Sequence, residues 1–267
     1  MITSELASKM RCSAISMVHK ASASHIGSVL SICDIVAVLY GSVMKIEPEN
    51  PNFKQRDRFI LSKGHACVAV YAALAHKGFF SLDALESYGA NDSWLMNHIS
   101  HKVPGVEFST GALGHGLSFG VGKALAGKQQ NSDWQTFVVL SDGEMDEGSN
   151  WEALMFASHH NLKNLTAIID YNKLQSLDTV ESTLSLEPLV EKLRSFGAYV
   201  IEVDGHNHVS LNKALSYTDN NKPLVVIAHT VKGKGVSFME NKVEWHYKSP
   251  NLKEASNALK EIMKANA

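Results

Sequence analysis

The stretch Leu140–Ala153, "LSDGEMDEGSNWEA", follows an apolar β-forming run, "TFVVL" (136–140). The run stops at Ser141-Asp142-Gly143. Three more carboxylates follow, Glu144, Asp146 and Glu147, and then a helical pattern begins. Asp and Gly are turn residues, so one reading is a solvated strand-to-helix turn, with Glu144 and Asp146 in water or shaping its first turn. The other reading is a metal and phosphate site. A second apolar run, "LTAIIDYN" (165–172), places Asn172 just past its own end, with a helix over 147–161 between the two. Neighbouring strands lie about 4.8 Å apart, so Asp142 and Asn172 share one crevice if these strands pair. A carboxylate oxygen, an amide oxygen and a nearby backbone carbonyl form the hard-oxygen set that Mg²⁺ or Ca²⁺ prefers. Gly143 allows close backbone approach to a phosphate, and the following helix N-terminus adds donors. Spacing alone leaves both readings open.

Outward from this stretch the chain alternates. Helical patterns fall at 3–20, 28–44, 66–77, 82–89, 147–161, 186–196, 208–216 and 251–265, and the glycine-studded "LGHGLSFGVGKALAGK" (113–128) reads as a helix packed closely on a neighbour. Strands are expected in "DRFILSKGH" (57–65), "QTFVVLSD" (135–142), "LTAIIDYN" (165–172), "AYVIEVDG" (198–205) and "PLVVIAHTVKG" (223–233), and a Gly-, His- and Pro-rich loop at 92–112. Continuously apolar strands separated by helices predict an α/β fold with a doubly wound, mostly parallel sheet covered on both faces. Ligands of such sheets bind outside the carboxyl ends of the strands.

The bulk properties exclude other classes. The chain has 267 residues, 45% of them hydrophobic, and a formal net charge of −2. No basic footprint for nucleic acid stands out. Apolar runs such as "LVVIA" (224–228) fall short of a membrane span, and the N-terminus has no signal-peptide core. Cys12, Cys33 and Cys67 are widely spaced, which fits a reducing cytoplasm and requires no function. Cys67, near His65, reads as part of a packed helix rather than a nucleophile.

The stretch "SDGEMDEGSNWEALMFASHHNLKNLTAIIDYNKLQ" (141–175) resembles the diphosphate-binding motif of thiamine diphosphate enzymes, and its "EG..WEA" and "NL..IIDYN..Q" details resemble the transketolase family. "ASHIGSVLS" (23–31), "DRFILSKGHA" (57–66), "VPGVEFSTGALGHGL" (103–117) and "HTVKGKGVSFMENKVEWH" (229–246) are similar to that family's further motifs, in its order. The resemblance implies a single thiamine diphosphate-binding (PP) domain over 1–267. It implies that Asp142, Asn172 and the Leu174 carbonyl bind Mg²⁺ (or Ca²⁺ or Mn²⁺), and that Gly143 contacts the diphosphate. Glu147 would sit in the cofactor site at a contact between chains. His65 and His246 would reach the diphosphate and the reacting centre, Gly111 and Leu113 would line the thiamine region, and His25 and His98 would face the sugar. His101, three residues from His98, competes for that last role. Ser141 replaces the family's first glycine, and Ile26 and Ala112 stand where many members have proline.

The resemblance covers only the first part of a full-length transketolase. The pyrimidine-binding domain, with the glutamate that promotes loss of the cofactor's C2 proton, and the C-terminal domain are expected on a partner chain, plausibly in an α2β2 assembly. The implied activity is transfer of a two-carbon ketol unit from a ketose or ketose phosphate to an aldose or aldose phosphate, inactive without the partner. Two alternatives stand beside it: the α subunit of a thiamine-dependent 2-oxo acid dehydrogenase, and a non-catalytic assembly subunit. His19, His76, His115, His159, His160, His206, His208 and His229 are expected to be inert, and "KGKG" (232–235) is read as a flexible active-site segment in preference to a phosphate loop.

Overall fold

A computed structural model describes residues 2–218 and 221–265. Five strands, β1 (Arg58–Leu61), β2 (Thr136–Ser141), β3 (Leu165–Tyr171), β4 (Tyr199–Asp204) and β5 (Leu224–His229), form one sheet in the order β1-β2-β3-β5-β4. Every pairing is parallel. β2 and β3 are neighbours, and Ser141 lies opposite Asp170. The tips carrying Asp142 and Asn172 are therefore adjacent. β1, β2 and β3 are buried at every residue, which is why their sequences are continuously apolar instead of alternating.

Helices cover both faces. Phe137, Val139, Ile168, Leu224 and Val226 face a core shared with α1 (Thr3–Lys20), α2 (Ile26–Val38) and α3 (Cys67–His76), which α8 (His208–Leu215) and α9 (Leu252–Lys264) extend. Val138, Leu140, Ala167, Ile169, Val225 and Ile227 face the other core, with α4 (Gly116–Gln129), α5 (Gly148–His159) and α7 (Leu189–Ser195). α6 (Val180–Thr183) is a single turn capped by the Thr179 side chain. The doubly wound α/β class expected from the alternation is the fold observed.

All of α2 is buried. Together with the π-helical turn Leu39–Val43 it makes one apolar stretch, Ile26–Val43, long enough by composition to cross a membrane, yet 83% of it is packed inside the fold. This stretch is far longer than the wholly apolar run at 224–228, although Ser28, Ser31 and Asp34 interrupt it. Its place against α1, α3 and α8, in the core shared with Phe137, Val139 and Ile168 of the sheet, accounts for its apolar character, since each fully buried Leu, Ile or Val contributes about 1.5–3 kcal/mol. The glycines of α4 serve close packing. A Cβ at Gly116 would lie 2.4 Å from the Ser62 hydroxyl, and one at Gly120 2.4 Å from a Val138 methyl.

Several boundaries move. The helix expected at 28–44 begins at Ile26, and the one expected at 186–196 begins at Leu189, with Pro188 at its N-cap, because the proline ring disfavours helical backbone at the residue before it. Leu82–Ser87 is a 3-10 turn rather than an α-helix. The strand expected to run to Gly233 ends at His229.

Candidate active site

At the tip of β2 the Asp142 carboxylate accepts the Gly143 N–H at 2.8 Å and the Lys173 N–H at 2.6 Å. Lys173 adopts a left-handed conformation (φ 64°), which turns the chain between Asn172 and Leu174. Asn172 donates through Nδ2 to Asp170 (3.1 Å) and to the Ser31 hydroxyl (3.2 Å), which fixes the orientation of its amide. Its Oδ1 accepts the Leu174 N–H at 3.0 Å. Asp170, fully buried beneath the tips, is paired with the Lys63 ammonium at 2.6 Å. Burial opposes its charge, but Lys63 together with the Ser31 and Thr230 hydroxyls holds the carboxyl below the ordinary range. Asp142 has no such partner. Burial first, and Asp170 second, push it up to about 7.

Over these tips four imidazoles converge from separate elements. His25 lies just before α2, His65 in the turn after β1, His98 in the 92–112 loop, and His246 in the 3-10 turn Val243–His246. The His25 ring centroid lies 5.0 Å from His65, 5.1 Å from His246 and 6.0 Å from His98. His25 is held in the left-handed region (φ 74°, ψ 13°), and its N–H donates to the His246 carbonyl at 2.7 Å. A non-glycine residue there costs about 1–2 kcal/mol, which the surrounding fold must offset. Burial, then the neighbouring His98 and lysines, hold His25 down to about 4. Burial, then Lys232, hold His246 down to about 3, and His65 lies well below its ordinary value for like reasons. These three rings are therefore neutral at pH 7.

A second buried ammonium completes the cavity of about 240 Å³ that these groups line. Lys232, 1% exposed, bonds the Leu174 carbonyl (3.0 Å), the Gln175 carbonyl (2.7 Å) and His246 Nδ1 (3.0 Å). Burial first, then Lys63, lower it to about 8. A hollow of about 950 Å³, lined in part by Lys128, Gln135, Lys163 and Asn164, lies at the opposite end of the sheet, where β2 and β3 begin, and gathers no histidine.

Of the residues singled out in the sequence, His25, His65, His98, Gly111, Leu113, Asp142, Gly143, Asn172, Leu174 and His246 all line this cavity. His101 does not. Its ring is bonded to the Ser109 hydroxyl at 2.7 Å, so His98 is the loop histidine that faces the cavity. Glu147 also lies outside, exposed beside Gly114. Glu144 is not solvated: it is fully buried, accepting the Ser62 hydroxyl, the Gly114 N–H (2.8 Å) and the Ser141 N–H (3.4 Å). "KGKG" is not loose either, with Lys232 among the most buried side chains. Lys63 escaped the sequence reading, and Lys232 entered it only as part of the "KGKG" segment, without a role of its own. The signal available was a lysine inside each of two motif loops. His206 and His208, expected inert, both bond Asp34. Cys67 is buried with its thiol pushed up to about 12, which rules against a nucleophile.

The donor set suits a cation brought with phosphate. Among the described residues no three His, Cys, Asp or Glu side chains cluster at metal-binding spacing. One carboxylate plus neutral oxygens leaves positions for water and phosphate oxygens, as Mg²⁺ prefers. The unpaired Asp142 carboxylate, buried against its charge, fits a cation, while the Lys63 and Lys232 ammoniums fit a diphosphate. The Leu174 carbonyl, engaged by Lys232, keeps a second lone pair.

Fold and pocket together define a thiamine diphosphate-binding domain. Residues 2–264 match the family described as "Transketolase, thiamine diphosphate binding domain", and the chain belongs to the transketolase family. It is 42% identical over 257 residues to one of the subunits of apulose-4-phosphate transketolase from Phocaeicola vulgatus, covering 95% of this chain and 91% of that protein. It is 41% identical to the 6-deoxy-6-sulfo-D-fructose transketolase subunit SqwG of a Clostridium species, covering 83% and 82%. Human transketolase is 35% identical, covering 97% of this chain and 41% of its own length. The crystal structure of Campylobacter jejuni transketolase superposes with a TM-score of 0.93 at 30% identity, over 98% of this chain and 43% of that one. The chain thus spans about two fifths of those full-length enzymes and most of the proteins named as subunits.

Proposed function

We propose that this chain is the diphosphate-binding subunit of a two-chain transketolase. With thiamine diphosphate and a divalent cation, Mg²⁺ by its donor set, it transfers a two-carbon ketol unit from a ketose to an aldose. The observation that carries this reading is the convergence of four imidazoles and two buried ammoniums over the Asp142–Asn172 pair. The partner carries the pyrimidine-binding domain, and an α2β2 assembly closes the site between chains.

Thiamine diphosphate, when bound, supplies the nucleophilic carbon that carries the two-carbon unit. The chain's own residues do the rest. Asp142, Asn172 and the Leu174 carbonyl hold the cation. Gly143, Lys63 and Lys232 hold the diphosphate, with His65 and His246 beside it. His25 and His98 face the sugar. A neutral imidazole donates an N–H to a developing alkoxide and can accept a hydroxyl proton at its other nitrogen. His25, held neutral by burial and by its cationic neighbours Lys63 and Lys232, is suited to that exchange at pH 7.

The test is ketol transfer to ribose 5-phosphate, with Mg²⁺ and thiamine diphosphate, by this chain alone and with the pyrimidine-domain chain added. Xylulose 5-phosphate, apulose 4-phosphate and 6-deoxy-6-sulfo-D-fructose serve as donors, the last two because relatives carry their names. Turnover only in the mixture supports the reading. Turnover by this chain alone overturns the two-chain site. Cofactor binding without turnover of any donor overturns ketol transfer from these sugars.

A further inference from the structure

Outside the pocket, Asp34 on α2 is 5% exposed and forms a hub. Arg11 of α1 bonds both its oxygens, at 3.1 and 2.5 Å. His206 Nδ1 lies 2.7 Å from one oxygen and His208 Nε2 3.0 Å from the other. Burial opposes the charge on Asp34, yet Arg11 and the two imidazoles hold it ionised.

The hub reaches the segment that carries Lys232. The Val231 N–H donates to His206 Nε2 at 2.8 Å. A backbone N–H can only donate, so Nε2 carries no proton and the imidazole proton sits on Nδ1, facing Asp34. Three residues on, the Lys234 carbonyl accepts Arg11 Nε at 3.2 Å. Between these points the Gly233 N–H donates to the Gly27 carbonyl (3.0 Å), and the Lys232 carbonyl accepts the Asn241 N–H (2.9 Å).

We propose that His206, oriented by Asp34, is a positioning residue: through the Val231 N–H it holds the 231–234 segment so that the Lys232 ammonium stays inside the diphosphate pocket. Arg11, oriented by the same carboxylate, fixes the other end. One aspartate thereby sets both flanks of Lys232 without touching the pocket. His208 bonds Asp34 and the Thr3 hydroxyl and makes no bond to the segment. It is the internal control. The functional meaning rests on the reading of Lys232 as a diphosphate ligand, but the geometry can be tested without cofactor or partner.

The experiment compares full-length wild type, His206→Leu, His206→Gln and His208→Leu at one fixed pH. It reads hydrogen exchange at the Val231 amide and the acylation rate of Lys232, with buried Lys63 as the reference lysine. Circular dichroism checks the fold. His206→Leu should lose protection at Val231 and acylate Lys232 at least tenfold faster, with Lys63 unchanged. His206→Gln, whose amide can accept from Val231 and donate to Asp34, should restore most of the protection. His208→Leu should leave Lys232 at the wild-type rate. Unchanged Lys232 in His206→Leu, or an equal change in His208→Leu, overturns the proposal. Should His206→Leu fail to fold, His206→Asn keeps the donor to Asp34 but cannot reach Val231. Wild-type behaviour at Lys232 in that variant overturns the proposal, and a faster rate supports it. These readouts fail independently of ketol transfer, so their failure leaves the proposed activity standing.

Discussion

Replacing Asp142 with asparagine should change the pH dependence of folding more than the fold. The folded carboxyl lies at about 7, against an ordinary aspartate value of 3.8, because burial and Asp170 disfavour its charge. Folding raises this pKa, so the folded chain binds the proton more tightly than the unfolded chain. Stability from this group is present at about pH 4 and is lost as pH rises to about 7. Three units correspond to about 4 kcal/mol at most. In Asp142→Asn the amide oxygen can still accept from Gly143, but its NH₂ then faces the Lys173 N–H, at a cost of about 1–3 kcal/mol that does not depend on pH. His25, His65 and His246 act with the opposite sign, since their folded pKa values are lowered and stability falls as pH drops below the unfolded value of 6.5. They are common to both proteins and cancel in the difference. Urea unfolding in EDTA from pH 4.5 to 7.5 should therefore show the variant gaining on wild type by up to about 4 kcal/mol. Adding Mg²⁺ and thiamine diphosphate at pH 7.5 should reverse the order, because only wild type offers the cation a carboxylate. Parallel stability curves in EDTA would refute the buried unpaired charge. An unchanged difference on adding Mg²⁺ and cofactor would refute the cation site.

Glu144→Ala should strand the Ser62 hydroxyl and the Gly114 and Ser141 N–H groups in the interior, costing about 3–5 kcal/mol and lowering the melting temperature by roughly 10 °C; a shift under about 2 °C in a thermal melt would speak against a buried hub. Gly143→Val should abolish diphosphate loading in calorimetry while preserving the circular dichroism spectrum, and normal loading would remove Gly143 from the site. His98→Ala should slow turnover of the assembled enzyme roughly 100-fold, within the usual range for a proton-transfer group, whereas His101→Ala should leave it near wild type. Equal effects would undo that distinction.

Much of this site could be read from the sequence because its elements are short-range. β2 and β3 are buried on both faces, so their sequences are mostly apolar instead of alternating, and Asp142 and Asn172 fall one residue past each strand. What failed depended on distant partners. Glu144 looks like one of a row of solvated acids until Ser62 and Gly114 are folded against it. "KGKG" has the composition of a loose loop, but bonds with Gly27, Asn241 and Arg11 hold it, and His206 holds Val231 just before it. Spacing could not separate His98 from His101, because an irregular loop has no period from which to assign a face.

The bond from the His25 N–H to the His246 carbonyl joins residues 25 and 246 of a chain of 267. Closing a loop of that length carries an entropy cost that grows slowly with length and that the rest of the fold must offset. The cavity is closed by segments near the two ends of the described chain, and a substitution that loosens either end reaches the site through this bond.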